Sequence, residues 1–231
     1  MTRISTGSDL IDDILEGGLE PEVTTTIYGS SGSGKTNIAI LATLNLADKG
    51  KVIFIDTEGG FSTERARQLF TETHKNRLNN LIFYKPNSFE KQKEIFDKLE
   101  AEAKKNDVKI IAVDSISMLY RLELGEREAY DVNKEMARQL SILRKISHDL
   151  KIPILLTNQV YADFKKKNEI KMVGGDLMKY TSKCIIKLEA KDDGRYLHLV
   201  KHRSIPQKSI RFKITNDDIL EAKESKKFSL F

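Results

Sequence analysis

Through residue 160, short apolar runs alternate with stretches in which apolar residues recur at helical spacing. VTTTIY at 23–28, KVIFID at 51–56, LIFY at 81–84, KIIAVDS at 109–115 and ILLTNQ at 154–159 predict five strands. KIIAVDS is continuously apolar, as in a strand covered on both faces of a parallel sheet. Between these runs, a helix over 36–48 stops at Gly50 and a second, capped by Ser62, runs through QLF. A third opens at Asn87, with Glu90 three residues on completing a capping box, and carries Phe89, Phe96, Leu99 and Ala103 on one face. A longer helix over 131–150 aligns Met136, Leu140, Leu143 and Leu150. After Val173 the pattern changes: IIKLEA, a DDG turn at 192–194, RYLHLV and SIRFKIT read as antiparallel strands. The last sets Ile210, Phe212 and Ile214 against Arg211 and Lys213. No repeat, low-complexity tract or linker interrupts the chain, so residues 1–231 read as one α/β domain with a doubly wound, mostly parallel sheet.

Composition narrows the class. Of 231 residues, 39% are hydrophobic and 32% charged, which suits a globular domain and excludes a disordered chain. No run approaches the ~20 apolar residues of a membrane span, and MTRISTGSDL has no signal-peptide core, so the expectation is a cytoplasmic protein without membrane contact. Cys184 stands alone, which excludes an internal disulfide and reads as a small buried strand residue. Residues 161–231 hold 17 Lys+Arg against 10 Asp+Glu, a balance of +7, whereas 1–160 hold 22 against 24, a balance of −2. A basic final third suits a polyanionic partner, nucleic acid first, or merely a solvated lysine-rich surface.

The sharpest chemistry is GSSGSGKT, comprising Gly29, Ser30, Ser31, Gly32, Ser33, Gly34, Lys35 and Thr36, between a strand and a helix. Glycines let backbone N–H groups close around phosphates, and the helix N-terminus adds its dipole. Lys35 reaches the β- and γ-phosphates of ATP, and the Thr36 hydroxyl ligates Mg²⁺. Asp114 ends an apolar strand, where its carboxylate serves as a direct or outer-sphere Mg²⁺ ligand. Glu58, just past the end of the second strand, is placed to orient and deprotonate an attacking water. Asn158 and Gln159 follow LLT and are placed to sense the γ-phosphate and couple it to the next loop.

GSSGSGKT, DTEGGFSTER, IIAVDS with LYR, LLTNQV and the glycine pair 174–175 together resemble the RecA-type recombinases, and among them the archaeal RadB group of short paralogues. The resemblance covers essentially everything from Ser5 onward and implies a RecA-like P-loop NTPase core. It implies that Glu58 activates water, that Arg65 packs on adenine, and that Gln159 reports the γ-phosphate. It also implies two DNA-binding loops, at 120–131 and 161–173.

In the second loop, Lys165, Lys166, Lys167 and Lys171 offer charges for phosphates, while Tyr161 and Phe164 offer stacking faces; in the first, Arg127 is a weaker candidate. That mixture suits single-stranded or branched DNA without sequence readout. LVKHRSIP at 199–206 is similar to the bacterial RecA and clock-ATPase pattern. There, Lys201 and Arg203 complete an ATP site across a subunit boundary, which implies a homo-oligomer of at least two copies. The other readings are DNA-backbone contact and protection of a strand edge. With the phosphate loop starting at residue 29, the expectation is a core without a separate N-terminal DNA-binding domain, and the second loop is short. The implied function is a recombination and repair accessory ATPase, slow in turnover, switched by nucleotide and not itself exchanging strands. Its partners would be DNA and other recombination proteins, such as a strand-exchange recombinase or a junction nuclease. The alternatives are a hexameric helicase-like motor and a clock-type signalling ATPase without a DNA role.

Overall fold

The computed structural model describes residues 2–126, 128–162 and 170–222. The expected alternation is present: β1 (Thr24–Gly29), α2 (Lys35–Leu46) and β2 (Val52–Asp56) follow a short α1 (Asp9–Ile14). Two small helices, α3 (Thr63–Leu69) and α4 (His74–Asn79), lead to β3 (Leu81–Tyr84), α5 (Phe89–Lys105) and β4 (Ile111–Asp114). Helices α6 (Met118–Glu123) and α7 (Ala129–Leu150) precede β5 (Ile154–Asn158). A two-stranded hairpin, β6 (Val160–Ala162) and β7 (Ile170–Met172), flanks the basic loop, and α8 (Gly175–Thr181) follows it. The chain closes with β8 (Cys184–Lys191), β9 (Gly194–Lys201), β10 (Lys208–Ile214) and β11 (Ile219–Glu221).

Among the described residues, nine strands form one sheet in the order β11-β10-β9-β8-β1-β5-β4-β2-β3. The six from β8 to β3 pair in parallel, and β8 to β11 pair antiparallel. Period-two alternation sorts the strand side chains between two cores. Val52, Phe54, Ala112 and Leu155 pack with α1 and α2 on one face, whereas Ile53, Ile55, Val113 and Leu156 pack with α5 and α7 on the other. Phe212, flanked by Ile210 and Ile214, extends the first core under the antiparallel strands.

Two local expectations shift. The N-cap of α5 is Ser88, whose Oγ accepts the Lys91 N–H at 3.2 Å, so Asn87 and Glu90 form no capping box there. A serine one residue nearer the helix fills the cap position itself. Ser62 caps α3 as expected, accepting the Arg65 N–H. Helices α1, α4, α6 and α8 escaped sequence reading because six or seven residues carry less than two turns of periodic signal. Among the described residues, no helix is long and apolar enough to cross a membrane.

Candidate functional site

Parallel strands place their carboxyl ends on one edge of the sheet, the usual position for ligands in open α/β folds. The carboxyl ends of β1, β2, β4 and β5 carry the 29–36 loop, the DTEG turn, Asp114 and Gln159 to that edge. The loop is built on close approach. A Cβ at Gly29 would lie 2.2 Å from Leu188 O, and Gly34, at φ +110°, precedes α2 with Ile214 against it. Lys35 is buried, and its Nζ donates to Gly29 O at 3.0 Å and Ser30 O at 2.9 Å. Burial holds its ammonium below the usual lysine range, with Glu58 and Asp114 pulling the other way.

Thr36 Oγ1 donates to Asp114 Oδ2 at 2.8 Å, and Thr157 donates to the other carboxylate oxygen. Burial raises the Asp114 carboxyl above its ordinary value, opposed by these two hydroxyls. Gly60 lies against Thr36, where an added Cβ would come within 3.2 Å of its methyl. One carboxylate and one hydroxyl suit Mg²⁺, which takes few protein ligands and keeps water and phosphate oxygens. No group of three or more His, Cys, Asp or Glu assembles a cation site among the described residues.

Sequence reasoning missed the support beneath Glu58. Asp56, 1% exposed, accepts the N–H groups of Glu58 (3.1 Å), Gly59 (2.7 Å) and Gly60 (3.2 Å) on Oδ1, and that of Phe61 (3.0 Å) on Oδ2. An acidic residue ending a strand before a glycine pair was the available signal.

Glu58, Gln159, Lys35, Gly29 and Ser31 line a cavity of about 190 Å³, together with Val160 and Arg121. Gln159 Nε2 donates to Glu58 Oε1 at 3.0 Å. The Gln159 backbone is tied on both sides: its N–H donates to Ser117 Oγ at 3.1 Å, and its carbonyl accepts the Val173 N–H at 3.0 Å. Asn158 is fully buried, donates to Val173 O at 2.8 Å, and is not among the cavity-lining residues. The physical reason is its position inside β5, where its side chain binds the end of the following loop instead of facing the nucleotide edge.

Arg65 reaches from α3 to Asn37 Oδ1 at 2.6 Å and Asn216 O at 2.8 Å. Tyr161 and Lys171 are cross-strand partners in the β6–β7 hairpin. They also line a larger cavity of about 730 Å³ with Tyr28, Lys179 and Lys201. Arg127, Phe164, Lys165, Lys166 and Lys167 lie outside the described residues. Lys201 and Arg203 are engaged within the chain. Lys201 Nζ donates to Lys179 O and Ser182 O at the end of α8, and Arg203 Nε lies 2.8 Å from Glu20 Oε2.

The donor set fits ATP with Mg²⁺. Among the described residues, Ser33 Oγ in the loop, Ser115 Oγ beside Asp114 and Arg65 Nη2 are buried polar atoms without a hydrogen-bond partner. Buried polar groups are seldom left unpaired unless a ligand, ion or water meets them.

The Rad51 family model matches residues 1–222. A DNA repair and recombination protein RadB from Methanobrevibacter smithii is 38% identical over 226 residues, with 94% of this chain and 95% of that protein covered. Its counterpart of the same description from Methanocaldococcus jannaschii is 37% identical over 212 residues, covering 91% and 98%. A solved structure described as the crystal structure of the RadB recombinase matches with a TM-score of 0.80 at 30% identity, covering 96% of this chain and all of that one. With its RecA-type sheet and intact phosphate loop, the chain belongs to the Rad51 family, among the RadB proteins.

Proposed function

We propose that this protein is an ATP- and DNA-binding accessory factor of recombination and repair that hydrolyses ATP slowly and uses nucleotide as a switch. The observation that carries the reading is the position of Gln159. Its side chain meets Glu58 in the cavity and lies 3.5 Å from Arg121 of the first segment, its N–H meets Ser117 just before α6, and its carbonyl meets Val173 at the end of the basic loop. One residue therefore touches the nucleotide cavity and both segments expected to contact DNA. A change at the cavity is passed to those segments through bonds already made.

ATP with Mg²⁺ supplies the transferable phosphoryl group and the metal charge that offsets its oxygens. The N–H groups of the 29–36 loop and Lys35 would hold the phosphates, Thr36 and Asp114 would hold the metal, and Arg65 would face the adenine. Glu58 orients and deprotonates the attacking water. In the structure Glu58 accepts from Gln159, and giving up that bond before each turnover supports a slow rate. Lys165, Lys166, Lys167 and Lys171 pair with DNA phosphates, while Tyr161 and Phe164 stack on bases. The short second loop supports binding without strand exchange. The names of the related proteins support the recombination setting and other recombination proteins as partners.

A test measures ATP turnover and single-stranded DNA affinity together, across a salt series. Glu58→Gln should cut turnover to a small residual rate and keep DNA binding. Neutralising Lys165, Lys166 and Lys167 should weaken DNA binding and flatten its salt slope by about one for each phosphate left unpaired. Absence of DNA binding even at low salt overturns the reading in favour of a signalling ATPase. Fast DNA-stimulated turnover with unwinding favours a motor.

A further inference from the structure

Arg121 stands in the last turn of α6, exposed and without an ion pair among the described residues. It heads the segment expected to touch DNA, yet it lines the cavity that holds Lys35, Glu58 and Gln159. Its Nη1 lies 3.5 Å from Gln159 Oε1, and the same amide's nitrogen donates to Glu58 Oε1 at 3.0 Å and lies 3.2 Å from Met118 Sδ. Helix α6 is thus clasped to Gln159 at its first turn through Ser117 and Met118, and at its last through Arg121. A triphosphate carries more negative charge than one Mg²⁺ and one lysine offset, and a guanidinium is the group suited to phosphate oxygens.

We propose that Arg121 binds the γ-phosphate of ATP held in its own subunit, and that doing so moves α6 and the segment behind it. The proposal rests on the cavity being a nucleotide site. With ADP, Arg121 keeps the Gln159 amide as its partner. With ATP, it turns to the terminal phosphate and frees Gln159 Oε1. The first DNA segment then follows the cavity through α6, while the second follows it through the Gln159 carbonyl.

The experiment compares binding of a non-hydrolysable ATP analogue and of ADP to the full chain, and then measures single-stranded DNA affinity with each nucleotide bound. Wild type, Arg121→Ala and Arg121→Lys are the proteins, and thermal unfolding checks that all three are folded. Arg121→Ala should weaken the analogue about 10- to 100-fold, as expected for removing a hydrogen bond to a charged group, and leave ADP unchanged. It should also erase the difference in DNA affinity between the two nucleotide states, and Arg121→Lys should restore part of both. Equal weakening of analogue and ADP overturns the proposal, as does weaker DNA binding with nucleotide affinities unchanged, which would make Arg121 a DNA contact. If wild type itself fails to bind either nucleotide, the reading of the cavity falls. If wild type binds both and Arg121→Ala matches it, only the role of Arg121 falls.

Discussion

Asp56→Asn separates the support of the Glu58 turn from the 29–36 loop. The Asp56 carboxylate is 1% exposed and accepts four backbone N–H groups between residues 58 and 61. Asparagine keeps one acceptor oxygen but turns an NH₂ toward the Phe61 N–H, or toward the other three if the amide is reversed. A hydrogen bond to a charged group contributes about 1.5–3 kcal/mol, and leaving a buried donor unpaired costs about 1–3 kcal/mol. After relaxation the turn loses on the order of 3 kcal/mol. At a factor of ten per 1.36 kcal/mol, misplacement of Glu58 lowers kcat by roughly 100-fold. Lys35, Thr36 and Asp114 lie on other segments and meet the turn only at Gly60, so ADP affinity should fall far less than kcat. Steady-state phosphate release and nucleotide titration read the two quantities separately. If Asp56 acts through Glu58, the double variant with Glu58→Gln turns over no more slowly than Glu58→Gln alone. Multiplying defects, or a wild-type kcat in Asp56→Asn, would refute this account of the turn.

Three further outcomes follow from burial and backbone. His202 accepts the Ser204 and Ile205 N–H groups on Nδ1, and burial pushes its pKa down, against Glu20 and Glu16 and with Arg3 and Arg203. The unfolded chain therefore takes up a proton that the folded one resists. Stability from this group is complete above about pH 6.5 and falls as pH drops below that value. Melting between pH 5 and 8 should show a shallower acid slope for His202→Gln than for wild type, and equal slopes contradict the assignment. The buried Cys184 thiol is pushed up to about 12, so thiol reagents at neutral pH should label it only on unfolding, and rapid labelling of the folded protein contradicts its burial. Gly29→Ala forces a Cβ to 2.2 Å from Leu188 O and should cost about 3 kcal/mol or more, whereas Gly32→Ala meets open space and costs only its φ of +73°, about 1–2 kcal/mol. Melting temperatures in the opposite order would contradict the loop geometry.

The sheet was legible because each central strand is a buried apolar run and each long helix carries a periodic face. GSSGSGKT, Asp114, Glu58 and Gln159 were legible because strand ends of a parallel sheet converge on one edge. What escaped was set by folded contacts that residue periodicity does not encode. Asp56 reads as one more strand residue until the turn after it is seen folded onto its carboxylate. Arg121 reads as part of the first implied DNA-binding loop until α6 brings it to a glutamine 38 residues later. The position of β8 beside β1, linking the antiparallel strands to the parallel ones, also has no local signature, since it depends on the chain's return through α8.

Lys201 and Arg203 illustrate how present partners constrain a role across a subunit boundary. Lys201 binds two carbonyl groups at the C-terminal end of α8, where a cation is favoured by the helix dipole. Arg203 pairs with Glu20, a carboxylate 9% exposed whose other cationic neighbour, Arg3, lies at 3.6 Å. The buried His202 beside it has its ring pushed toward the neutral form and supplies less compensation. Withdrawing Arg203 to reach a neighbouring subunit's phosphate would leave Glu20 with the longer pair alone, and breaking a buried ion pair costs about 3–5 kcal/mol when nothing replaces the departed partner. Half of the Arg203 side chain is exposed, which reduces that figure but does not remove it. A contact in trans must therefore exceed the Glu20 pair before it contributes to assembly. In the isolated subunit, both cations serve first to fasten β9 and its turn to α8 and to the N-terminal segment.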